Sequence, residues 1–388
     1  MSEIEEAFCK SYYSDKIFYC PTCWEKNATQ QGKSYLTACI IVLIIGIIWV
    51  IISPQNELAW LILQAGLSGC FITAIVAIPH ELGHVLTAFL IKAKILQVTI
   101  GLGRILYNRD FWGIEWKFCA IPICGFSIIG LKSRRFYRLR SFLITLGGPL
   151  VNFLLIFVAM ILLFNISLPW LLAVVRSFLI ANIFVLLFNL MPRKANFAGT
   201  ITPSDGLALL TTPFMSQSKI NQEIEACYVW EGYSYYTRGR IEDAKRSYER
   251  GLEHFPNSFA IQNEMGRVLL HLGKYVEARN LFVELQKNTN LGPAMNIGIL
   301  NAIATADVMI GENALLAEAD AFSKTACENM PWQTEFKWTH GLVLVQKGHI
   351  EQGLILLKEA MDKMENSFHK AVYASYISEV ENKKGNAV

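Results

Sequence analysis

Four long stretches of this chain are almost without charge, and that decides what the chain can fold into. Ser34 to Ser53 is a run of 20 residues with no Asp, Glu, Lys or Arg, enough for one helix to cross a hydrocarbon core of about 30 Å. Leu58 to Ile91 carries Glu81 as its sole charge, Ser141 to Asn165 carries none, and Ile166 to Pro192 is broken only by Arg176. Four transmembrane helices are therefore expected. The second contains Pro79, which removes a backbone hydrogen bond and clashes with the preceding turn, so a kink or a new helix start is expected there. Only 17% of the 388 residues are charged and 53% are hydrophobic, against about 25% charged in an ordinary soluble domain.

Orientation follows from the basic residues. Lys92, Lys94, Lys132, Arg134, Arg135, Arg138, Arg140, Arg193 and Lys194 all flank span ends on one side, whereas residues 54–57 and 165–168 contain no Lys or Arg. The positive-inside rule then puts both termini in the cytosol. Arg176 lies about two turns from the outer connection, where its long side chain can snorkel to the surface. Residues 34–215 hold 13 Lys or Arg against 5 Asp or Glu, and residues 216–388 hold 18 against 22. Because the basic half is also the most apolar, its charge reads as membrane orientation. The lipid bilayer is an expected partner and nucleic acid is not. The polar opening of the chain is unlike a secretory signal. Nine cysteines without a repeating spacing argue against a disulfide framework. Cys20-Pro21-Thr22-Cys23 is half a zinc knuckle at most, and an ordinary pair of cysteines is the simpler reading.

Two further patterns divide the chain. In residues 96–126, Ile114, Trp116 and Phe118 alternate with Glu115 and Lys117, and Gly101, Gly103, Gly113 and Gly125 punctuate the stretch, which predicts a small membrane-associated β-hairpin or sheet. Beyond Met215, Gly232, Tyr235, Gly239, Ala244, Tyr248, Gly251 and Pro256 recur 34 residues later as Gly266, Leu269, Gly273, Ala278, Phe282, Leu285 and Asn290. That period is the tetratricopeptide spacing. A third unit, framed by Ala319, Ala326 and Pro331, carries an insertion. A fourth is framed by Gly341, Leu344, Gly348, Gly353, Leu357 and Ala360. The expected organisation is a cytosolic segment over residues 1–33, an α-helical membrane domain over 34–215 and a soluble all-α repeat solenoid over 216–388.

His80-Glu81-Leu82-Gly83-His84 is an HExxH sequence. Its spacing of four puts both imidazoles on one helix face, one turn apart, where two neutral rings can bind one zinc ion. Glu81 can then take a proton from a metal-activated water without being a ligand. Burying two imidazoles and a carboxylate in an apolar span costs several kcal/mol unless they are paired or metal-bound. No other histidine occurs before His254, so a third ligand must be a different residue type. Asp205 is the only acid between Glu115 and Glu223. Asp110 and Glu115 are its competitors, although both fall in the strand region. Three protein ligands with an open position is the catalytic arrangement of zinc.

With these residues in view, the stretch from about 58 to 210 resembles the site-2 protease family of intramembrane zinc metalloproteases. His80-Glu81-Leu82-Gly83-His84 matches the zinc helix, and Ile100-Gly101-Leu102-Gly103 with Pro122-Ile123-Cys124-Gly125-Phe126 is similar to the family's β-hairpin. Gly148-Pro149-Leu150-Val151-Asn152 resembles its GPxxN segment, and Asn189-Leu190-Met191-Pro192 with Asp205-Gly206 its NxxP and DG segment. The resemblance implies His80, His84 and Asp205 as zinc ligands, Glu81 as the catalytic carboxylate, and Asn152 and Asn189 as substrate-binding residues. It implies single-pass membrane proteins as substrates, cleaved within their transmembrane segments to release a signalling domain, and a bacterial cytoplasmic membrane as the location. The sequence departs from the family where twelve residues separate Pro192 from Asp205, against about four, and where Cys124 stands for a glycine.

The repeats would regulate cleavage or select substrates. Their frame puts Tyr233, Tyr236, Asn263, Arg267 and Trp338 on the concave face, where a cytosolic protein or peptide would bind. The alternative function is a non-catalytic membrane receptor or scaffold acting through its tetratricopeptide repeats.

Overall fold

A computed structural model describes residues 21–197, 200–287, 291–363 and 367–385. The Cys20–Cys23 pair lies outside the described side chains. The chain forms two compact units, residues 1–224 and 225–388.

In the first unit, α1 (Pro21–Ile52) is followed by α2 (Glu57–Phe71), whose N-cap Asn56 accepts a hydrogen bond from the Leu58 amide at 2.9 Å. The helix then widens into a π-turn (Ile72–Val76) before α3 (Ala77–Leu90). Pro79 therefore sits three residues past the π-turn in a helix that runs on without a new start. The interruption expected at Pro79 is taken up one turn earlier, by the π-turn. α4 (Tyr137–Asn165) and α5 (Pro169–Leu190) complete the apolar set, α5 opening on Pro169 at its first position.

Four described helices are long and apolar enough to cross a membrane: Ala28–Ile52, Tyr137–Asn165, Pro169–Leu190 and Pro293–Ile310. Three coincide with expected spans. The second expected span is instead a helical stretch broken by the π-turn, of which Glu57–Phe71 is a shorter apolar helix. The fourth long apolar helix belongs to the second unit, where Ile299, Ile303, Ala304 and Ala306 are buried against neighbouring helices and account for its composition.

Between α3 and α4 lies a two-stranded sheet, β1 (Lys94–Phe111) and β2 (Ile114–Gly130). It turns at Trp112-Gly113, where φ is positive at both residues (55° and 74°), the backbone that a two-residue primed turn requires. Residues 97–100 pair with residues 125–128 on one side and with residues 115–118 on the other. Among the described residues no further strand pairs with 125–128. Ile95, Val98 and Ile100 pack with Ala88 of α3, which ties the sheet to the HExxH helix. After α5, β3 (Lys194–Phe197) and β4 (Thr200–Pro203) form a second small hairpin, followed by the short α6 (Asp205–Thr211).

From α7 (Gln217–Thr237) onward the described elements are helices: α8 (Ile241–His254), α9 (Phe259–His271), α10 (Tyr275–Gln286), α11 (Pro293–Ile310), α12 (Asn313–Asn329), α13 (Thr334–Gln346), α14 (Ile350–Asp362) and α15 (Ser367–Gly385). One packing arrangement occurs three times. A Cβ added at Gly232 would lie 2.2 Å from Tyr248, at Gly266 2.4 Å from Phe282, and at Gly341 2.9 Å from Leu357. In each case a small residue on one helix seats a large side chain sixteen residues later on its partner. The equivalent place in the remaining pair holds Asp307 and Ser323, and there buried Asp307 is paired with Arg279. Part of the extra length before this pair goes into α11, which has 18 residues against 13 in α9 and α13.

Candidate metal centre

The helical spacing of His80 and His84 on α3 brings their Nε2 atoms to 3.3 Å. Asp205 reaches the same point from the start of α6, its Oδ2 lying 3.0 Å from Nε2 of His80 and 3.5 Å from Nε2 of His84. A tetrahedral zinc with bonds of roughly 2.0–2.1 Å keeps its ligand atoms about 3.3 Å apart, so the spacing fits that ion.

Hydrogen bonding supports the same fit. His84 Nδ1 lies 2.8 Å from the carbonyl oxygen of Ile144; that oxygen can only accept, so Nδ1 carries a proton and the neutral ring has its Nε2 lone pair available to a metal. His80 Nδ1 lies 2.5 Å from Asn152 Oδ1, which leaves its Nε2 in the same state. With both rings neutral, two lone pairs and a carboxylate oxygen face one another, and Asp205 Oδ2 is buried without a hydrogen-bond partner. Burying three acceptors together is costly unless a cation joins them. The outward bonding of each Nδ1 is the arrangement that orients metal-binding histidines.

Glycines make room for the cluster. A Cβ at Gly148, in the Gly148-Pro149-Leu150-Val151-Asn152 segment of α4, would sit 2.3 Å from His84 Nε2 and 2.8 Å from His80 Cε1. Gly83 and Gly147 allow α3 and α4 to touch backbone to backbone, since a Cβ at Gly83 would lie 2.4 Å from the Gly147 carbonyl oxygen.

The twelve residues before Asp205 do not displace it. The β3–β4 hairpin is closed at its base: the Ser204 amide donates to the Arg193 carbonyl at 2.9 Å, and Ser204 Oγ donates to the Met191 carbonyl at 2.7 Å. The chain leaves α5 and re-enters at α6 almost where it left, and Ser204 then N-caps α6. At Gly206 a Cβ would fall 1.8 Å from the Leu190 carbonyl oxygen, so the DG pair packs directly on the end of α5.

The competing acid Glu115 is engaged elsewhere, by Lys117 at 3.2 Å and Asn108 at 3.2 Å within the sheet. Among the described residues, the one group of three or more His, Cys, Asp or Glu able to hold a metal is His80, His84 and Asp205. Glu81 turns toward β2, where Ser127 Oγ donates to its Oε2 at 3.1 Å and Gly125 leaves room for its methylenes.

Of the two asparagines, Asn189 directs Nδ2 to within 3.3 Å of His80 Nε2, beside the cluster. Asn152 is fully buried behind His80 and bonds onward to Asn182. Ser127, Ile144 and Asn182 had no sequence signal, because each acts through a contact made only when separate elements pack.

In the second unit, Tyr233 is 46% exposed, and Arg267 approaches Glu335 at 3.4 Å and Glu264 at 3.7 Å. Asn263 donates to Glu264 at 3.1 Å, and Tyr236 packs edge-on against His271. Trp338 is 8% exposed and stacked on Tyr373 of α15 at 3.5 Å. It is a packing residue, not an open face.

Comparison with known proteins points to zinc metalloproteases. Proteins named "Putative zinc metalloprotease" from Ralstonia nicotianae, Fusobacterium nucleatum and Thermotoga maritima are 32%, 32% and 33% identical to this chain over 107, 99 and 111 residues. These alignments cover 22%, 23% and 24% of this chain and 23%, 29% and 22% of the relatives, so the chain matches about a quarter of their length. Among solved structures, a MamA RS-1 double mutant aligns over 41% of this chain and 96% of its own (TM-score 0.28, 16% identity). Yeast Tom70 aligns over 91% of this chain and 80% of its own (TM-score 0.29, 10% identity). Neither score carries a fold assignment. The description that fits most of the sequence is Peptidase family M50, matched over residues 69–371, more than three-quarters of the chain and the whole of the metal centre: the chain belongs to that family.

Proposed function

We propose that the protein is an intramembrane zinc metalloprotease that cleaves the transmembrane segments of single-pass membrane proteins. The observation that carries this is the convergence of His80 Nε2, His84 Nε2 and Asp205 Oδ2 within 3.5 Å of one another, on the helix that also carries Glu81.

His80, His84 and Asp205 would hold zinc, which when bound supplies the Lewis acidity that makes water a nucleophile near neutral pH. Glu81 accepts the proton of the attacking water and returns it to the leaving amide nitrogen. Ser127 holds Oε2 of Glu81 in the meantime. Asn189, with its amide beside His80, is placed to donate to the substrate carbonyl, while Asn152 acts on His80 from behind. Residues 125–128 offer an edge on which an unwound substrate can add as a strand, and Ser127 puts that edge against Glu81.

The helical unit is read as a tetratricopeptide-type solenoid, supported by the thrice-repeated seating of a large side chain on a glycine. Exposed Tyr233 and half-buried Arg267 on its concave face would meet a cytosolic protein or peptide that selects substrate or regulates cleavage. Both termini face the cytosol in a bacterial cytoplasmic membrane, in keeping with the basic residues between α3 and α4. A cysteine placed at Gln55 should then react with an impermeant reagent from outside.

The test is reconstitution in liposomes with single-pass substrates. The wild type should cut them within the membrane, with loss of cleavage on replacing both His80 and His84. Zinc binding without cleavage of any such substrate would favour the scaffold reading.

A further inference from the structure

The two candidate histidine ligands are oriented by different means. For His84 one step suffices, from Nδ1 to the carbonyl of Ile144. For His80 the partner is a side-chain amide, Asn152, and an amide can present either its oxygen or its nitrogen. Something must decide which end faces His80. If the nitrogen did, the His80 proton would move to Nε2 and the ligand lone pair would be lost.

We infer that Asn182 of α5 is a positioning residue that fixes the proton of His80 on Nδ1 by dictating the orientation of Asn152. The chain of bonds has a direction because its far end is a backbone carbonyl. Asn182 Nδ2 lies 2.9 Å from the Phe178 oxygen, one turn back in α5. That oxygen can only accept, so the amide nitrogen of Asn182 must point to it. The Oδ1 of Asn182 then faces Asn152 and accepts from Asn152 Nδ2 at 3.1 Å. This turns Asn152 Oδ1 to His80, where it accepts from Nδ1–H at 2.5 Å. Both asparagines are 0% exposed, so water cannot substitute for a missing partner from bulk. An unpaired amide at that depth is costly, which makes the alternative orientation of either residue unfavourable. The direction set at Phe178 thus reaches the metal-facing atom of His80 through two side chains.

The inference rests on the proposal that His80 binds zinc, and the experiment separates the two. Purified full-length protein is titrated with zinc against a chromophoric chelator as wild type, His80→Ala, Asn152→Leu, Asn182→Leu and the Asn152→Leu/Asn182→Leu double variant, each checked for an unchanged unfolding temperature. Absence of a zinc site in the wild type overturns the zinc proposal itself. With that site present, Asn182→Leu should weaken zinc by roughly 10- to 100-fold, the range for groups that orient a ligand from behind. The double variant should lose no more than Asn152→Leu alone, because Asn182 acts through Asn152. Nitrogen-15 NMR of the metal-free, histidine-labelled protein should give His80 protonated on Nδ1 in the wild type and a mixture of tautomers in Asn182→Leu. If Asn182→Leu does not fold, Asn182→Ser, too short to reach Asn152, takes its place with the same expectation. Unchanged zinc affinity with an unchanged tautomer, or additive losses in the double variant, overturns the inference.

Discussion

Gly148 lies beneath His84 so closely that any side chain there would intrude on the ring, its Cβ falling 2.3 Å from Nε2. Neither partner can yield easily, since His84 is anchored through Nδ1 to Ile144 and Gly148 is fixed within α4. Gly148→Ala should therefore lower zinc affinity at least 10-fold and destabilise the fold by about 1–3 kcal/mol, the usual cost of overpacking. Zinc titration and thermal unfolding of the purified variant check both figures.

Glu81→Gln separates metal binding from proton transfer. The amide occupies the same space and can still accept from Ser127, so zinc content and folding should be unchanged. Cleavage should fall by about 100- to 10,000-fold, the range for a lost general acid–base group. Ser127→Ala should have a smaller effect, about 10-fold, through a less well-held Glu81. Residual cleavage near wild type in Glu81→Gln would transfer the proton role to another residue.

Because the β3–β4 hairpin is bridged at its base by Arg193 and Ser204, its tip should be dispensable for the metal. Replacing residues 195–202 by a two-residue glycine link should leave zinc affinity within about 3-fold. A large loss would mean that the hairpin, and not its base, positions Asp205.

His340 offers a pH test in the second unit. Burial pushes its pKa below the ordinary histidine value, and its Nδ1 lies 3.1 Å from Ser323 Oγ. The folded state thus favours the neutral ring, so the unfolded chain takes up the proton first as pH falls. His340 contributes stability that is intact above its unfolded pKa of about 6.5 and is lost on acidification through the lower folded value. The urea midpoint of the full chain should fall less between pH 7.5 and 5 in His340→Gln than in the wild type. Parallel pH profiles would remove His340 as a cause.

The site was legible in the sequence where one helix or a shortage of candidates did the work. His80, Glu81 and His84 are related by helical geometry alone, and Asp205 stands out because acids are almost absent from the basic, apolar half. What packing decides was not legible. Asn152 reads as a substrate ligand until α5 brings Asn182 behind it and its two ends are occupied. Trp338 reads as an open aromatic until α15 lays Tyr373 on it. The β3–β4 hairpin escaped because four-residue strands are too short for an alternation to register.

The π-turn at Ile72–Val76 leaves a mark on how this chain compares with others. A π-turn holds one more residue than the α-turn it replaces, and one residue is about 100° of rotation. Residues before it therefore face a different way, relative to His80 and His84, than simple counting back along the helix would suggest. A homologous helix without the turn would align correctly only with a one-residue gap between Phe71 and Ala77. Forced through without that gap, the alignment would match the α1-facing side of α2 to a side that faces elsewhere, while leaving the metal motif itself in perfect register.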